Sequence, residues 1–357
     1  MSLLEIAQEV GLDPMKVACT QGGEYHSACP SCGGKDRFVL QPNKKMKNCY
    51  GGYWCRQCNI HGDVIQFCKE FLGLSFKEAV VYADADIPEQ ENKFLRKESH
   101  IMQPCLLNSP SEKWMQKALL LVEYAHAQIW TRSDVLKRLM RRGLPAEAIR
   151  KYKIGFWTDE CFCDRIEWGL GEEMDANGNL RRIWLPEGIV IPIFDKNNVV
   201  RLKIRRNKWK EGDDCAKYIA ISGSMNGLSL IGDIRKLVMI VVESELDAYA
   251  LHYVVGDFAF IVAVGSNIKN PDNVTDRLVK EKKDVLICHD NDAAGKKMLE
   301  KWVRLYPHVT ACSTENGKDI GEAIEMGVNV RAWILSKVNL IQKIRAGVKD
   351  KIEETLK

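Results

Sequence analysis

Residues 284–295 read Asp-Val-Leu-Ile-Cys-His-Asp-Asn-Asp-Ala-Ala-Gly. Val285 to Ile287 form a short apolar run of the kind a buried strand shows, and two carboxylates follow it, Asp290 and Asp292, one residue apart. Side chains at i and i+2 fall on one side of an extended chain, so both acids are expected to point the same way at the strand's end. Ala293, Ala294 and Gly295 are small enough for a turn and a helix to begin close by. Like charges held that close are unfavourable unless a cation sits between them.

A second stretch has the same design. Leu237–Val242 is continuously apolar, the mark of a strand buried on both faces, and it stops at Glu243, with Asp247 one helical turn later. In open α/β sheets, ligands gather at the carboxyl ends of the strands. Two such strands would bring Glu243, Asp290 and Asp292 to one crevice. A further acid, Asp319, follows Lys318 after the run Val309–Cys312. The donors are all oxygens, so the expected ligand is Mg²⁺ or Mn²⁺. Taken singly, each acid suits a surface turn of an ordinary α/β domain. The ordered set, with strands before its members, favours the metal site.

Glu at one strand end, Asp-x-Asp at another and Lys-Asp downstream resembles the Toprim domain, shared by bacterial primases, type IA topoisomerases and some nucleases. The resemblance implies Glu243 as the essential acid near the metals, Asp290 and Asp292 as metal ligands, and Asp319 as a further acidic position. Ile261–Ser266 is expected as another buried strand of this unit. One departure is visible. Many primases carry a second Asp two residues after the first of the last motif; here Gly321 stands there, followed by Glu322. An accessory metal role at that corner stays open.

Composition sets bounds. At 357 residues the chain is long enough for two or three domains. No apolar run reaches the length of a membrane span, and Met1–Glu5 has no secretory character, so a cytoplasmic location is expected. Thirteen unevenly placed cysteines read as thiols plus a metal site, not as a disulfide framework. A net charge of +4 is only mildly basic. Local clustering carries more weight for nucleic-acid contact.

The strongest short motif is Cys29-Pro-Ser-Cys32 followed by Cys55-Arg-Gln-Cys58. Doubled Cys-x-x-Cys knuckles suit a tetrahedral Zn²⁺ site, with the residues between them forming a ribbon. His26, Cys49 and His61 are read as bystanders. Between the knuckles lie Lys35, Arg37, Lys44, Lys45 and Lys47; with Phe38, Tyr53 and Trp54 they suggest a basic, aromatic face for single-stranded nucleic acid. The words around both knuckles, with Gly62-Asp63 after them, resemble the zinc ribbon of bacterial, phage and plasmid DNA primases. In that family the ribbon reads the template's initiation site.

The rest of the chain falls into segments. Residues 2–18 suggest a short helix and turn, and residues 63–83 one or two helices closing a zinc module that spans 1–84. Residues 85–112, with three prolines and no period, read as a linker that lets the module reach the catalytic site without being fixed to it. A basic part of the core, 113–235, begins helical. It contains Arg142-Gly143-Leu144 and Ile154-Gly155-Phe156, words that resemble the start of a primase core. Val190–Phe194 and Val199–Ile204, joined by an Asp-Lys-Asn-Asn turn, are expected as an antiparallel pair whose alternation puts Arg201, Lys203 and Arg205 on one face. Arg205 and Lys217 fall where the resemblance implies residues that hold template and nucleotide. The alternative is a solvated edge strand blunted by lysines. Residues 236–328 form the expected Toprim domain and 329–357 a helical tail.

The expected fold class is therefore multi-domain α/β: an N-terminal zinc ribbon, a linker, a mixed α+β basic subdomain and an α/β Toprim domain. The resemblance implies a DNA primase, using Zn²⁺ structurally and Mg²⁺ or Mn²⁺ catalytically, with single-stranded DNA and ribonucleoside triphosphates as partners. No phosphate-loop motif of a helicase motor occurs, so any replicative helicase would be a separate partner. A Toprim nuclease and a catalytically silent nucleic-acid binder are the alternatives.

Overall fold

In the computed structural model, residues 1–19, 22–30, 33–46, 49–72, 74, 76–85, 107–175, 177–265, 270–314 and 316–355 are described. Helix α1 (Leu3–Glu9) starts at a capping box: Ser2 Oγ accepts the Glu5 N–H, and the Glu5 carboxylate accepts the Ser2 N–H at 2.7 Å. An antiparallel sheet follows, β1 (Met15–Ala18), β2 (Glu24–Cys29), β3 (Gly33–Lys45), β4 (Tyr50–Cys55) and β5 (His61–Asp63), in sequence order. Helices α2 (Val64–Phe71) and α3 (Phe76–Ala83) close it. Phe38, Leu40, Tyr53, Phe67 and Leu72 fill the core between sheet and helices. Two of the three expected nucleic-acid aromatics, Phe38 and Tyr53, are therefore core residues; only Trp54 stays half-exposed, with the Lys44 ammonium over its ring.

The middle of the chain contributes α4 (Glu112–Ile129), α5 (Ser133–Arg141), α6 (Ala146–Lys151), β6 (Gly155–Trp157) and a small hairpin of β7 (Cys161–Asp164) with β8 (Arg182–Leu185). It continues with β9 (Gly188–Asp195), β10 (Asn198–Arg206) and β11 (Tyr218–Ala220), in the antiparallel order β11-β10-β9-β6. Strand β9 is apolar without alternation because both faces are covered. Val190 packs with Trp114 and Val122 of α4, while Ile189, Ile191 and Ile193 join the core of the next sheet.

That sheet comprises β12 (Ser229–Ile231), β13 (Val238–Val242), β14 (Ala259–Ala263), β15 (Asp284–Cys288) and β16 (Thr310–Ala311). Its order is β12-β14-β13-β15-β16, parallel except for β12. Helices α7 (Glu245–Val255), α8 (Asn273–Glu281), α9 (Ala293–Leu305) and α10 (Ile320–Glu325) connect or follow its strands, and α11 (Val330–Thr355) ends the fold. The apolar runs at 237–242 and 285–287 are strands of this sheet, as their composition implies. Ser266 and residues 86–106 of the expected linker lie outside the described residues. No described helix is long and apolar enough to cross a membrane.

The ribbon is seated on this sheet. Helix α2 packs on the edge strand β16 and α3 on α11. Ser313 Oγ donates to the Pro30 carbonyl at 2.7 Å. Leu340 of α11 packs on the ribbon core while Trp333, Ile334, Val338 and Ile341 enter the main core. The expectation of a module merely tethered is replaced by a docked one.

Strand β10 also departs from expectation. It is an interior strand with both faces covered, so its basic residues do not form an open face. Arg201 is 5% exposed and donates to the Gly227 carbonyl and to Ser229 Oγ. Lys203 is 4% exposed; its ammonium lies 2.7 Å from one Glu245 oxygen and 2.9 Å from the other. Burial pushes the pKa of both cations down. Removing one partner of a buried ion pair costs about 3–5 kcal/mol, because the other charge is left uncompensated. Lys203→Met is expected to lower the unfolding free energy by roughly that amount in denaturant titrations, and Lys203→Met/Glu245→Leu to recover most of it.

Candidate active site and zinc centre

Cys29 ends β2, Cys55 ends β4 and Cys58 follows in the next turn. Their three Sγ atoms lie within 4.8 Å of one another, with Cys29 and Cys58 separated by 3.7 Å. Zn–S bonds of about 2.3 Å in a tetrahedron place sulfurs about 3.8 Å apart, so the spacing fits. The N–H groups of Gln57 and Cys58 point at Cys55 Sγ, 3.4 and 3.5 Å away, an arrangement that favours a thiolate. Cys32, the expected fourth ligand, lies outside the described residues. Among the described residues the bystanders stay apart. His26 meets Glu24 and Arg56, and His61 meets the Asn59 carbonyl. Burial and Asp63 push the Cys49 thiol up to about 11. The donor set suits a structural Zn²⁺.

The acids converge at the carboxyl ends of β13 and β15. These strands are parallel neighbours, with Val242 opposite Cys288, so Glu243 and Asp290 leave the sheet side by side. Glu243 Oε1 accepts the Asp290 N–H at 3.1 Å. Gly295 makes that approach possible: a Cβ there would lie 2.1 Å from the Asp290 carbonyl oxygen and 2.6 Å from Glu243 Oε1. Asp247, one turn into α7 behind its Ser244 cap, and Asp319, the cap of α10, complete the acidic wall.

Asp292 is placed differently. Its Oδ1 caps α9, accepting the N–H groups of Ala294 and Gly295 at 2.9 Å, and its Oδ2 pairs with the Lys318 ammonium at 2.9 Å. Burial opposes ionisation there, but the Gly295 N–H and Lys318 outweigh it and hold the carboxyl below its ordinary range. Asn291, between the two acids, pins the following loop: its Nδ2 donates to the carbonyls of Thr314 and Gly317, both at 2.9 Å, and its N–H to the Lys318 carbonyl at 2.7 Å.

Glu243, Asp247, Asp290 and Asp319 line a cleft of about 560 Å³. Arg138, Arg142, Lys203, Arg205, Lys217 and Lys318 line the same cleft. Arg205 and Lys217 thus reach the cleft as expected. Lys35 is exposed and Arg37 half-buried on the ribbon, outside the cleft lining. The Lys217 pKa is pushed down by burial and by its cationic neighbours Arg205, Lys318 and Arg142. Burial, then Glu243, Asp247, Asp319 and Asp292, pushes the Asp290 carboxyl up to about 8. A carboxyl so destabilised as an anion is one that a hard cation would relieve. Glu243 and Asp290 therefore fit Mg²⁺ or Mn²⁺.

Sequence reasoning left several cleft residues unassigned. Asp247 was visible one turn after Glu243. Arg138 and Glu245 carry no local signal, because their partners are far away in the chain, and Arg142 was visible only as part of the Arg-Gly-Leu words. Lys318 was seen only as a neighbour of Asp319.

Residues 24–65 match the family model of the zinc-binding domain of primase-helicase, and residues 240–324 match a Toprim-like family. The DNA primase of Chlamydia muridarum is 26% identical over 212 residues, 56% of this chain and 32% of that one. The DNA primase of Rickettsia felis is 23% identical over 317 residues, 81% of this chain and 49% of that one. This chain thus spans at most about half the length of these relatives. The crystal structure of the Aquifex aeolicus primase, comprising zinc-binding and RNA polymerase domains, aligns over 99% of this chain and 88% of that one. The identity is 19% and the TM-score 0.47, too low for the likeness to carry weight of its own. The chain joins a zinc ribbon of primase type to a Toprim-like domain.

Two outcomes follow from these sites. Cys29→Ser is expected to release about one zinc ion per chain, read by metal analysis after gel filtration. For Asp290 the native state binds more protons than the unfolded one between the ordinary 3.8 and about 8. Metal-free stability should therefore fall as pH rises through that window. A divalent ion must displace the same proton, so Mn²⁺ affinity should rise roughly tenfold per unit up to about pH 8. Thermal melts and Mn²⁺ titrations at pH 6, 7 and 8 check both trends, and Asp290→Asn should flatten them.

Proposed function

We propose that this chain, a primase-type ribbon joined to a Toprim-like domain, makes short RNA primers on single-stranded DNA. The observation that carries the reading is the meeting of Glu243 and Asp290, from distant parts of the chain, in one cleft with Arg205 and Lys217. Nucleotidyl transfer needs that juxtaposition: anionic ligands for divalent ions beside fixed cations for phosphates.

Glu243 and Asp290 would hold Mg²⁺ or Mn²⁺, with Asp319 at the cleft edge. A divalent ion held there would supply acidification of the primer 3′-hydroxyl and neutralise charge on the α-phosphate and pyrophosphate. Asp292 fixes the start of α9 and, through Lys318, the loop that faces the acids. Arg205 and Lys217 would bind nucleotide or template phosphates. The Zn²⁺ of the ribbon would hold the template-reading strands in shape.

From Lys217 at the cleft, a series of cations and aromatic rings would carry the template. The Lys217 ammonium lies 5.4 Å from the Trp209 ring centroid, and the Arg206 guanidinium 5.3 Å from that of Trp184. Trp184 in turn stacks on Phe162, which is 53% exposed. Cations alternating with aromatic rings suit single-stranded nucleic acid, whose bases stack while its phosphates pair. On the ribbon, Trp54, Lys44, Lys35 and Arg37 offer the same chemistry. A separate helicase as partner rests on family analogy.

The test is primer synthesis from ribonucleotides on single-stranded DNA with Mg²⁺ or Mn²⁺, run beside a cleavage assay. Asp290→Ala should reduce synthesis to background while DNA binding persists. Cleavage without synthesis by the wild type would instead identify a nuclease, and binding without either activity a silent binder.

A further inference from the structure

We propose that Arg142 is a resident cation of the acid site: its guanidinium occupies the corner between Asp247 and Asp319 and keeps divalent ions out of it. The proposal deepens the reading above, in which Glu243 and Asp290 take the catalytic ions.

Four of the acids that line the cleft divide into two halves. In one, Glu243 and Asp290 adjoin at the strand ends. In the other, one guanidinium serves two carboxylates. Arg142 Nη2 lies 2.5 Å from Asp319 Oδ1 and 3.4 Å from Asp247 Oδ1. The remaining donors to this half are fixed as well. Asp247 accepts the Gly321 N–H at 3.0 Å and the Ser244 hydroxyl at 2.5 Å, and Asp319 accepts the Glu322 N–H at 2.8 Å. Asp247 is 6% exposed, so its charge is costly without a close cation.

The seat for the guanidinium is shaped by the backbone. Arg142 caps the end of α5, which anchors its Cα on one wall. On the other wall is Gly321. A Cβ at Gly321 would lie 2.4 Å from Arg142 Nε and Nη2 and 2.6 Å from Cζ. The guanidinium therefore lies against a bare stretch of α10 that a side chain would fill. A side chain there would displace the tip of Arg142 from its seat. A guanidinium is permanently charged, planar and covalently held, so it serves two carboxylates at any metal concentration. Arg142 and a divalent ion would compete for the same oxygens and repel each other, so occupancy by one excludes the other. Against the cost of burial, Asp319 and Asp247 hold Arg142 firmly in its charged form.

The experiment counts Mn²⁺ ions per full-length chain by electron paramagnetic resonance titration, without DNA or nucleotide. Arg142→Gln is expected to bind one more Mn²⁺ than the wild type, and Arg142→Lys, which keeps the charge, to retain the wild-type count. Gly321→Ala leaves the arginine in the chain but crowds its seat, and is expected to gain an ion as well. This second variant serves if Arg142→Gln fails to fold. Millimolar guanidinium should displace the added ion from Arg142→Gln and leave the wild-type ions in place. Unchanged counts in both Arg142→Gln and Gly321→Ala would overturn the proposal and leave Arg142 as a brace. An equal gain in Arg142→Lys would overturn it too, since charge would then not be what excludes the ion. A wild type that binds no Mn²⁺ would sink the catalytic reading instead, while a gain in the variants would still support Arg142.

Discussion

Electrostatic repulsion between carboxylates at the ends of two adjacent parallel strands is the constraint on which the rest of this molecule turns. Strands β13 and β15 are buried on both faces and locked in register, so Glu243 and Asp290 cannot drift apart without breaking the sheet. The backbone offers partial relief where the Asp290 N–H meets Glu243. Gly295 allows α9 to start close enough for the loop to close over them. Burial first, and then what remains of the repulsion, raises the Asp290 pKa. The core supplies the rigidity, and the rigidity preserves the charge clash that makes the site attract a cation.

The molecule answers its acids with cations drawn from other elements. Lys203 of β10 meets Glu245, Arg142 beside α5 meets Asp247 and Asp319, and Lys318 meets Asp292. Two of these three contacts tie the middle sheet and its helices to the Toprim-like sheet. The same charges therefore orient the subdomains and form the cationic wall of the cleft. A buried pair such as Lys203–Glu245 adds little net stability, given its desolvation, but tolerates no other alignment of the two sheets. The continuous apolar face of Ile189, Ile191 and Ile193 supplies the cohesion.

How much of this could be read from the sequence depended on whether the deciding partner was local. The runs at 238–242, 285–287 and 190–194 announced buried strands because burial on two faces leaves nothing polar to confuse the pattern. The zinc knuckles were legible because the two cysteines of each motif are three positions apart in sequence. The alternation of Arg201, Lys203 and Arg205 was also real, but nothing local told whether that face met solvent or another subdomain. Glu245, the partner that decides it for Lys203, lies forty-odd residues away. Short elements such as β1 and β6 left no period to detect. For Asp292 a local signal existed: an acid before Ala-Ala-Gly at a helix start is a cap, and the orphan N–H groups of α9 claim it.

The docking of the ribbon follows from a need of the sheet itself. Strand β16 forms only a short ladder at the sheet margin, and an open margin exposes unpaired backbone groups. Helix α2 of the ribbon covers it, and α11 packs against both bodies. Hydrogen bonds then run inward from the zinc knuckle. Pro30 accepts from Ser313; the next residue, Thr314, accepts from Asn291; and Asn291 is flanked by Asp290 and Asp292. The loop that seats the knuckle is therefore the loop that Asn291 holds beside the acids. A ribbon detached from this seat would uncover β16 and leave Ser313 without its acceptor, one residue from the contact that steadies the Asp290 loop. In this geometry the ribbon's position and the order of the acid site are linked through the protein, apart from any contact that both make with a template.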